Sequence, residues 1–276
     1  MQSTDLTRKL GLSHAVALAL TCGVVAIGTG CAVEAGEPVE DIATNELSWE
    51  EFRANVYQEP ESGVFIVNGD EMMEDEEELR GFFEELQTGA LIVHRAGGVD
   101  SRWDSATQNN ITYCVSTTFG ARYNEVVTAM NSATGAWESG ANVNFVHLSQ
   151  YDSNCSGNQT NVLFDVRPVQ TTQYLARAFF PHQSRKSRNV LIDDSAFGKN
   201  PDVTGVLRHE LGHALGFRHE HTRPESGACF EDTSWRALTN YDSSSVMHYP
   251  QCNGTNTWAL TLTNSDKAGA AALYGN

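Results

Sequence analysis

Between residues 209 and 219 the chain reads His-Glu-Leu-Gly-His-Ala-Leu-Gly-Phe-Arg-His, and this stretch dictates its own local geometry. His209 and His213 stand four apart, so a helix places them one above the other on a single face. Two imidazoles on adjacent turns can grip one zinc ion, and Glu210 beside them can reach a water held by that ion. Gly216 lets the backbone turn sharply in a left-handed conformation that a Cβ penalises. The turn returns the chain to the metal, where His219 supplies a third nitrogen. Three protein ligands leave a fourth position open, the pattern of a catalytic zinc site rather than a structural one.

The rest of the chain supplies a context for such a site. Arg8 and Lys9 precede an apolar run from Ala15 to Ile27 that is short for a bilayer span and fits an export signal over residues 1–31. Gly28-Thr29-Gly30-Cys31 resembles a bacterial lipoprotein cleavage box with Cys31 as the lipidated residue; ordinary signal cleavage nearby fits equally. Either route predicts an exported protein, secreted or carried on the outer surface. The formal charge of −17 is concentrated in residues 32–90, which hold 18 acidic residues against 2 arginines. Within that segment the run from Glu71 to Glu78 reads most simply as solvated and partly disordered. Residues 91–276 are nearly neutral, with 16 acids against 14 bases, so no nucleic-acid partner is expected, and a membrane only through a lipid on Cys31. Cys114, Cys155, Cys229 and Cys252 predict two disulfides. Three connectivities exist, and Cys114–Cys155 with Cys229–Cys252 is preferred because each pair encloses a local segment.

Periodicity sketches an α+β domain from Trp103 onward. Ile111–Val115 reads as a strand. Tyr123, Val126, Val127, Met130, Ala133 and Trp137 then follow helical spacing to about Gly140. Strands are expected at Val143–Leu148, Asn161–Val166, Tyr174–Phe180 and Val190–Ile192, the third an edge strand ended by Pro181. The site helix is expected to start at an Asn200 cap and end at Gly216, and a last helix, Ser265–Tyr274, to be capped by Ser265. An edge strand above a metal can pair with an extended protein or peptide substrate, which assigns that role to Leu175–Phe179.

Residues 209–219 carry the pattern HExxHxxGxxH, and Ser245-Val246-Met247-His248-Tyr249 follows it. Together they resemble the metzincin metalloproteases with their Met-turn, and the astacins among these. His219-Glu220-His221-Thr222-Arg223 looks like the astacin extension of the zinc motif. The resemblance covers roughly residues 103–276. It implies a two-lobed catalytic domain over 99–276, with a mixed five-stranded sheet and two long helices above an irregular C-terminal lobe closed by one helix. It implies zinc bound by His209, His213 and His219, Glu210 as general base, Met247 beneath the metal, and Tyr249 as a fifth ligand that swings away to stabilise an oxyanion. Glu220 would meet a new N-terminus after maturation. The sequence does not fix the maturation site; Arg95 and Arg102 are candidate cleavage points only. His221 and His248 match no ligand position and are expected to be hydrogen-bonding or wall residues. Phe65-Ile66-Val67-Asn68-Gly69-Asp70 resembles the astacin propeptide motif, which makes residues 32–98 an acidic propeptide and Asp70 a zinc ligand of a latent form. Two departures stand out: the cysteines do not reproduce the usual astacin frame, and the segment before the site helix is longer than usual. An exported zinc-binding protein without catalytic activity is the alternative; an intact Glu210, which no structural site needs, weighs against it.

Overall fold

A computed structural model describes residues 48–85, 93–198, 200–231 and 235–276. The expected signal segment and Cys31 lie outside the described residues.

The acidic segment is folded where it is described. Helix α1 (Trp49–Asn55) leads into an antiparallel sheet of β1 (Tyr57–Gln58), β2 (Phe65–Val67) and β3 (Glu71–Met73), followed by α2 (Glu76–Glu85). Phe65, Val67, Met73, Leu79 and Phe82 bury together against Phe180. The expectation of a solvated, partly disordered run from Glu71 to Glu78 is corrected in part: Glu71–Met73 is a buried strand and a helix begins at Glu76, while Asp75, Glu76 and Glu77 are exposed as expected. Glu71 is 1% exposed because Arg218 grips its carboxylate from Nε at 3.1 Å and Nη2 at 2.7 Å. Asp75 accepts from the Glu78 backbone N–H at 2.9 Å. Glu76, Glu77 and Glu78 occupy the first turn of α2, where the helix dipole favours negative charge.

Strands β4 (Val93–Ala96) and β5 (Val99–Asp100) form a hairpin that turns at Gly97 and Gly98, so the expected 98/99 boundary falls at its tip. Then come β6 (Ile111–Val115), α3 (Tyr123–Glu138), β7 (Phe145–His147), β8 (Phe164–Val169), β9 (Ala176–Arg177), β10 (Asn189–Asp193) and α4 (Val203–Ala214). The five strands line up as β7-β6-β8-β10-β9, all parallel except β9, which runs antiparallel to β10 at the edge. This is the mixed five-stranded sheet that was expected, and the edge strand is where the sequence put it. Regular pairing there covers only Ala176 and Arg177 rather than Tyr174–Phe180.

Helix α3 buries Val126, Met130, Ala133 and Trp137, the face its periodicity predicts. Trp137 donates from Nε1 to the Arg208 carbonyl at 2.9 Å and stacks on Phe217 at 5.3 Å, tying α3 to α4. Below the zinc motif the chain is largely irregular. Its one described strand, β11 (Trp235–Arg236), pairs with β4, and α5 (Asn264–Tyr274) closes the lobe. The Tyr274 hydroxyl donates to the Leu215 carbonyl at 2.6 Å, fastening α5 to the end of the site helix.

Two helix caps differ from expectation. Asp202, not Asn200, caps α4, accepting from the Gly205 N–H at 2.9 Å. Thr263, not Ser265, caps α5, in a capping box with Asp266. In each case another polar residue within two positions reaches the orphan N–H groups better. Both disulfides have the preferred connectivity, Cys114–Cys155 and Cys229–Cys252.

Candidate active site

Helix α4 carries His209 and His213 inward, 3% and 1% exposed, one turn apart on one face. The helix stops because Gly216 adopts φ +96°, and a Cβ there would lie 2.0 Å from the Ser101 carbonyl oxygen. The chain doubles back and buries His219 completely. Beneath it, Met247 packs against Gly212 so closely that a Cβ on that glycine would meet its sulfur at 2.3 Å. A small residue inside the motif thus makes room for the Met-turn.

Each histidine is oriented through its Nδ1. His209 donates to the Val246 carbonyl, His213 to the Phe217 carbonyl and His219 to the Glu231 carboxylate, each at 2.8 Å. All three Nε2 atoms are thereby left as acceptors pointing at one another, with His209 and His219 3.1 Å apart there. Asp70 enters this same space. Its Oδ1 lies 3.1 Å from His219 Nε2 and 3.6 Å from His213 Nε2, and its Oδ2 lies 3.4 Å from His209 Nε2. Lone pairs facing lone pairs at these distances repel unless a cation sits among them. His213 Nε2 and Asp70 Oδ1 are buried without a hydrogen-bond partner. Three imidazole nitrogens and one carboxylate oxygen form a donor set that suits zinc.

The electrostatics agree. Burial disfavours charge on His219, yet Glu231 and Asp70 hold its pKa well above the usual value, so the pocket calls for positive charge at this point. Burial likewise opposes ionisation of Asp70, but the facing histidines, His219 above all, keep its carboxyl well below the ordinary range. Glu210 is 2% exposed, and burial, reinforced by the Asp70 charge, pushes its carboxyl well above the ordinary value. One of its oxygens has no hydrogen-bond partner. Tyr249 donates its phenol proton to Asp70 Oδ2 at 2.6 Å. Gly69 permits that approach, at φ +100° with the Tyr249 oxygen only 3.3 Å from where its Cβ would be.

All five expected site residues and Asp70 converge here, and the structure adds residues that the sequence did not single out. Glu59 is held by Arg177 of β9, and Glu71 by Arg218. Glu231 binds both His219 and His221. An arginine among the apolar residues that separate the motif's second and third histidines was one available signal, since a buried Arg218 demands a carboxylate. His221 and His248 are hydrogen-bonding residues, as expected: His221 Nδ1 accepts from the Tyr249 N–H at 3.1 Å, and His248 Nε2 lies 2.9 Å from the Tyr241 hydroxyl. Glu220 is buried, pairing with Arg223 at 2.7 Å and accepting from the Asp242 N–H. Beside the histidines, a cavity of about 210 Å³ opens between Glu210, Ala176, Val206, Trp258 and Leu260.

Residues 102–226 match the matrixin family of peptidases. Over 89 residues, 32% of this chain, the sequence is 34% identical to human Tolloid-like protein 1 and to Bone morphogenetic protein 1 of Xenopus laevis. That stretch spans 7% and 10% of those two proteins. Among solved structures, myroilysin aligns at 16% identity with a TM-score of 0.46, covering 67% of this chain and 98% of its own. The hatching enzyme zinc-protease HCE-1 of Oryzias latipes aligns at 20% identity with a TM-score of 0.44, covering 66% and 98%.

Proposed function

We propose that the chain is a metzincin-type zinc metalloprotease, the reading its matrixin match and Tolloid-like relatives support, and that it is an exported endopeptidase made in a latent form. The observation that carries the latent part is the Asp70 carboxylate, 3.1–3.6 Å from the Nε2 atoms of all three motif histidines. It takes the position that a catalytic site must keep open. The export part rests on Arg8, Lys9 and the apolar run after them, with Cys31 as the lipid acceptor if the anchored route is used.

His209, His213 and His219 would hold the ion through Nε2. A bound zinc supplies a Lewis acid for the scissile carbonyl and brings the pKa of a water near 7. Glu210 faces the cleft with a high-pKa carboxyl, suited to taking a proton from the attacking water and giving it to the leaving amine. The Tyr249 phenol, now donating to Asp70, would turn that hydrogen bond to the oxyanion once the prosegment leaves. An extended peptide substrate would run along β9, pairing with the backbone of Leu175–Arg177. Burial raises the Glu210 carboxyl most and the Asp70 charge adds to it, so the departure of Asp70 would lower that carboxyl toward a value where it can act as a base.

The test compares the intact chain with its proteolytically matured form on a peptide library, beside Glu210→Gln, with zinc content measured throughout. The proposal expects zinc in every sample and cleavage only after maturation, abolished by Glu210→Gln. A zinc-loaded, matured parent without cleavage would favour the non-catalytic zinc-binding reading. Equal turnover by the Glu210→Gln variant would remove Glu210 from the mechanism.

A further inference from the structure

Glu231 lies in the lower lobe, 12 residues beyond the zinc motif, yet one of its oxygens serves two histidines. Oε1 accepts from His219 Nδ1 and from His221 Nε2, both at 2.8 Å. His221 can donate from Nε2 because its Nδ1 is engaged as an acceptor by the Tyr249 N–H at 3.1 Å. An unbroken path of hydrogen bonds therefore runs from the third metal-facing imidazole through Glu231 and His221 to the backbone of Tyr249. The rings follow the same path: His219 stacks on His221 at 4.7 Å, and His221 on Tyr249 at 4.7 Å.

A covalent clasp holds this arrangement shut. Cys229, two residues before Glu231, is bonded to Cys252, three residues after Tyr249. The Cys252 N–H donates to the Tyr249 carbonyl at 3.0 Å, and the Glu231 N–H to the Thr222 hydroxyl at 3.3 Å. The Asn253 side chain adds a bond of 2.9 Å to the Ser226 carbonyl. Without the disulfide, the Glu231 segment would be joined to the Met-turn by these contacts and the His221 relay, with no covalent link.

We propose that Glu231 is a positioning residue for both the metal and Tyr249, and that the Cys229–Cys252 bridge is what keeps it in place. The carboxylate fixes His219 in the tautomer that presents Nε2 and raises its basicity as a ligand. Through His221 it holds the Tyr249 backbone at a set distance from the metal-facing histidines. The bridge thereby couples the redox state of the lower lobe to metal affinity, a role that the remote Cys114–Cys155 bridge does not share.

The inference rests on the zinc reading of the site. Its test measures zinc affinity of the full chain by competition with a chromophoric chelator, alongside the melting temperature of the metal-free protein. Glu231→Gln should weaken zinc binding about 10- to 100-fold, the usual cost of losing a ligand's hydrogen-bond partner. The metal-free melting temperature should change little, and Glu231→Asp should restore part of the affinity. The visible spectrum of the Co²⁺-substituted protein should shift in Glu231→Gln. Cys229→Ser/Cys252→Ser should weaken zinc to a similar degree, while Cys114→Ser/Cys155→Ser should lower the melting temperature and leave affinity unchanged. A Glu231→Gln affinity within threefold of the parent overturns the proposal, as does equal loss from both disulfide variants. A parent that takes up no zinc overturns this inference and the reading beneath it together.

Discussion

Glu59 and Arg177 form a buried ion pair that ties the N-terminal sheet to β9. Arg177, 1% exposed, reaches Glu59 from Nε at 2.6 Å and from Nη2 at 2.7 Å, and the Tyr174 hydroxyl joins the same carboxylate at 2.5 Å. The guanidinium also hydrogen-bonds Asn189 Oδ1 at 2.8 Å and Met72 Sδ at 3.5 Å. Burial raises the Glu59 pKa, but Arg177 prevails and holds it at about 2 instead of 4.5. At 1.36 kcal/mol per unit this separation corresponds to roughly 3 kcal/mol. Because the pair borders an open cleft beside Pro60 and Glu61, partial screening brings the working figure to about 2–3 kcal/mol.

Glu59→Gln, placed in a Glu210→Gln background to prevent self-cleavage, should lower the free energy of local opening of the β1–β3 sheet by that amount. Amide hydrogen exchange in β2 and β3 should then accelerate about 30- to 150-fold, at 1.4 kcal/mol per factor of ten, while α3 amides keep their rates. The pH dependence has a definite sign. A carboxyl whose pKa is depressed in the docked state stabilises docking above pH 4.5 and loses that contribution as pH falls through about 2. The gap between parent and variant should therefore be full above pH 4.5 and close towards pH 2. Exchange in β2 and β3 within threefold of the parent, or acceleration shared equally with α3, would refute the reasoning.

Asp70→Ala should let the intact chain cleave peptides at rates approaching the matured form; an intact variant as silent as the parent would remove Asp70 as the element of latency. Gly216→Ala must place a Cβ 2.0 Å from the Ser101 carbonyl at φ +96°, so a loss of about 3–5 kcal/mol is expected by denaturant titration, with zinc lost alongside. A cost under about 1 kcal/mol would mean that the turn relaxes in a way the geometry does not suggest.

Local features were legible in the sequence and distant partnerships were not. The histidine spacing, the Gly216 turn and the α3 face depend on contacts within one or two turns. The disulfide pairs enclose short segments and were readable for the same reason. Glu71 looked solvated because its counter-charge, Arg218, lies 147 positions away. Glu59 and Arg177 are 118 apart, and no periodicity links them. Glu231 sits in a stretch without regular spacing, so only the folded arrangement of His219 and His221 reveals its use. The caps of α4 and α5 were misplaced by two positions because Asn200 and Asp202, or Thr263 and Ser265, compete on equal terms until the geometry selects one.

If the chain is matured by a cut at Arg95, one of the two candidate points, the hairpin of β4 and β5 has a kinetic consequence. Arg95 lies in β4, whose neighbours on either side are β5 and β11. The residue before it, His94, donates its N–H to the Gly216 carbonyl at 2.9 Å, at the very turn that ends the site helix. A protease needs an extended, accessible strand, so a cut at Arg95 must wait until this hairpin peels away from the lower lobe. Where reclosure is faster than cleavage, the rate follows the small open population and not the supply of processing enzyme alone. Release of the prosegment would then be timed by the substrate's own breathing, with the end of the site helix acting as the catch.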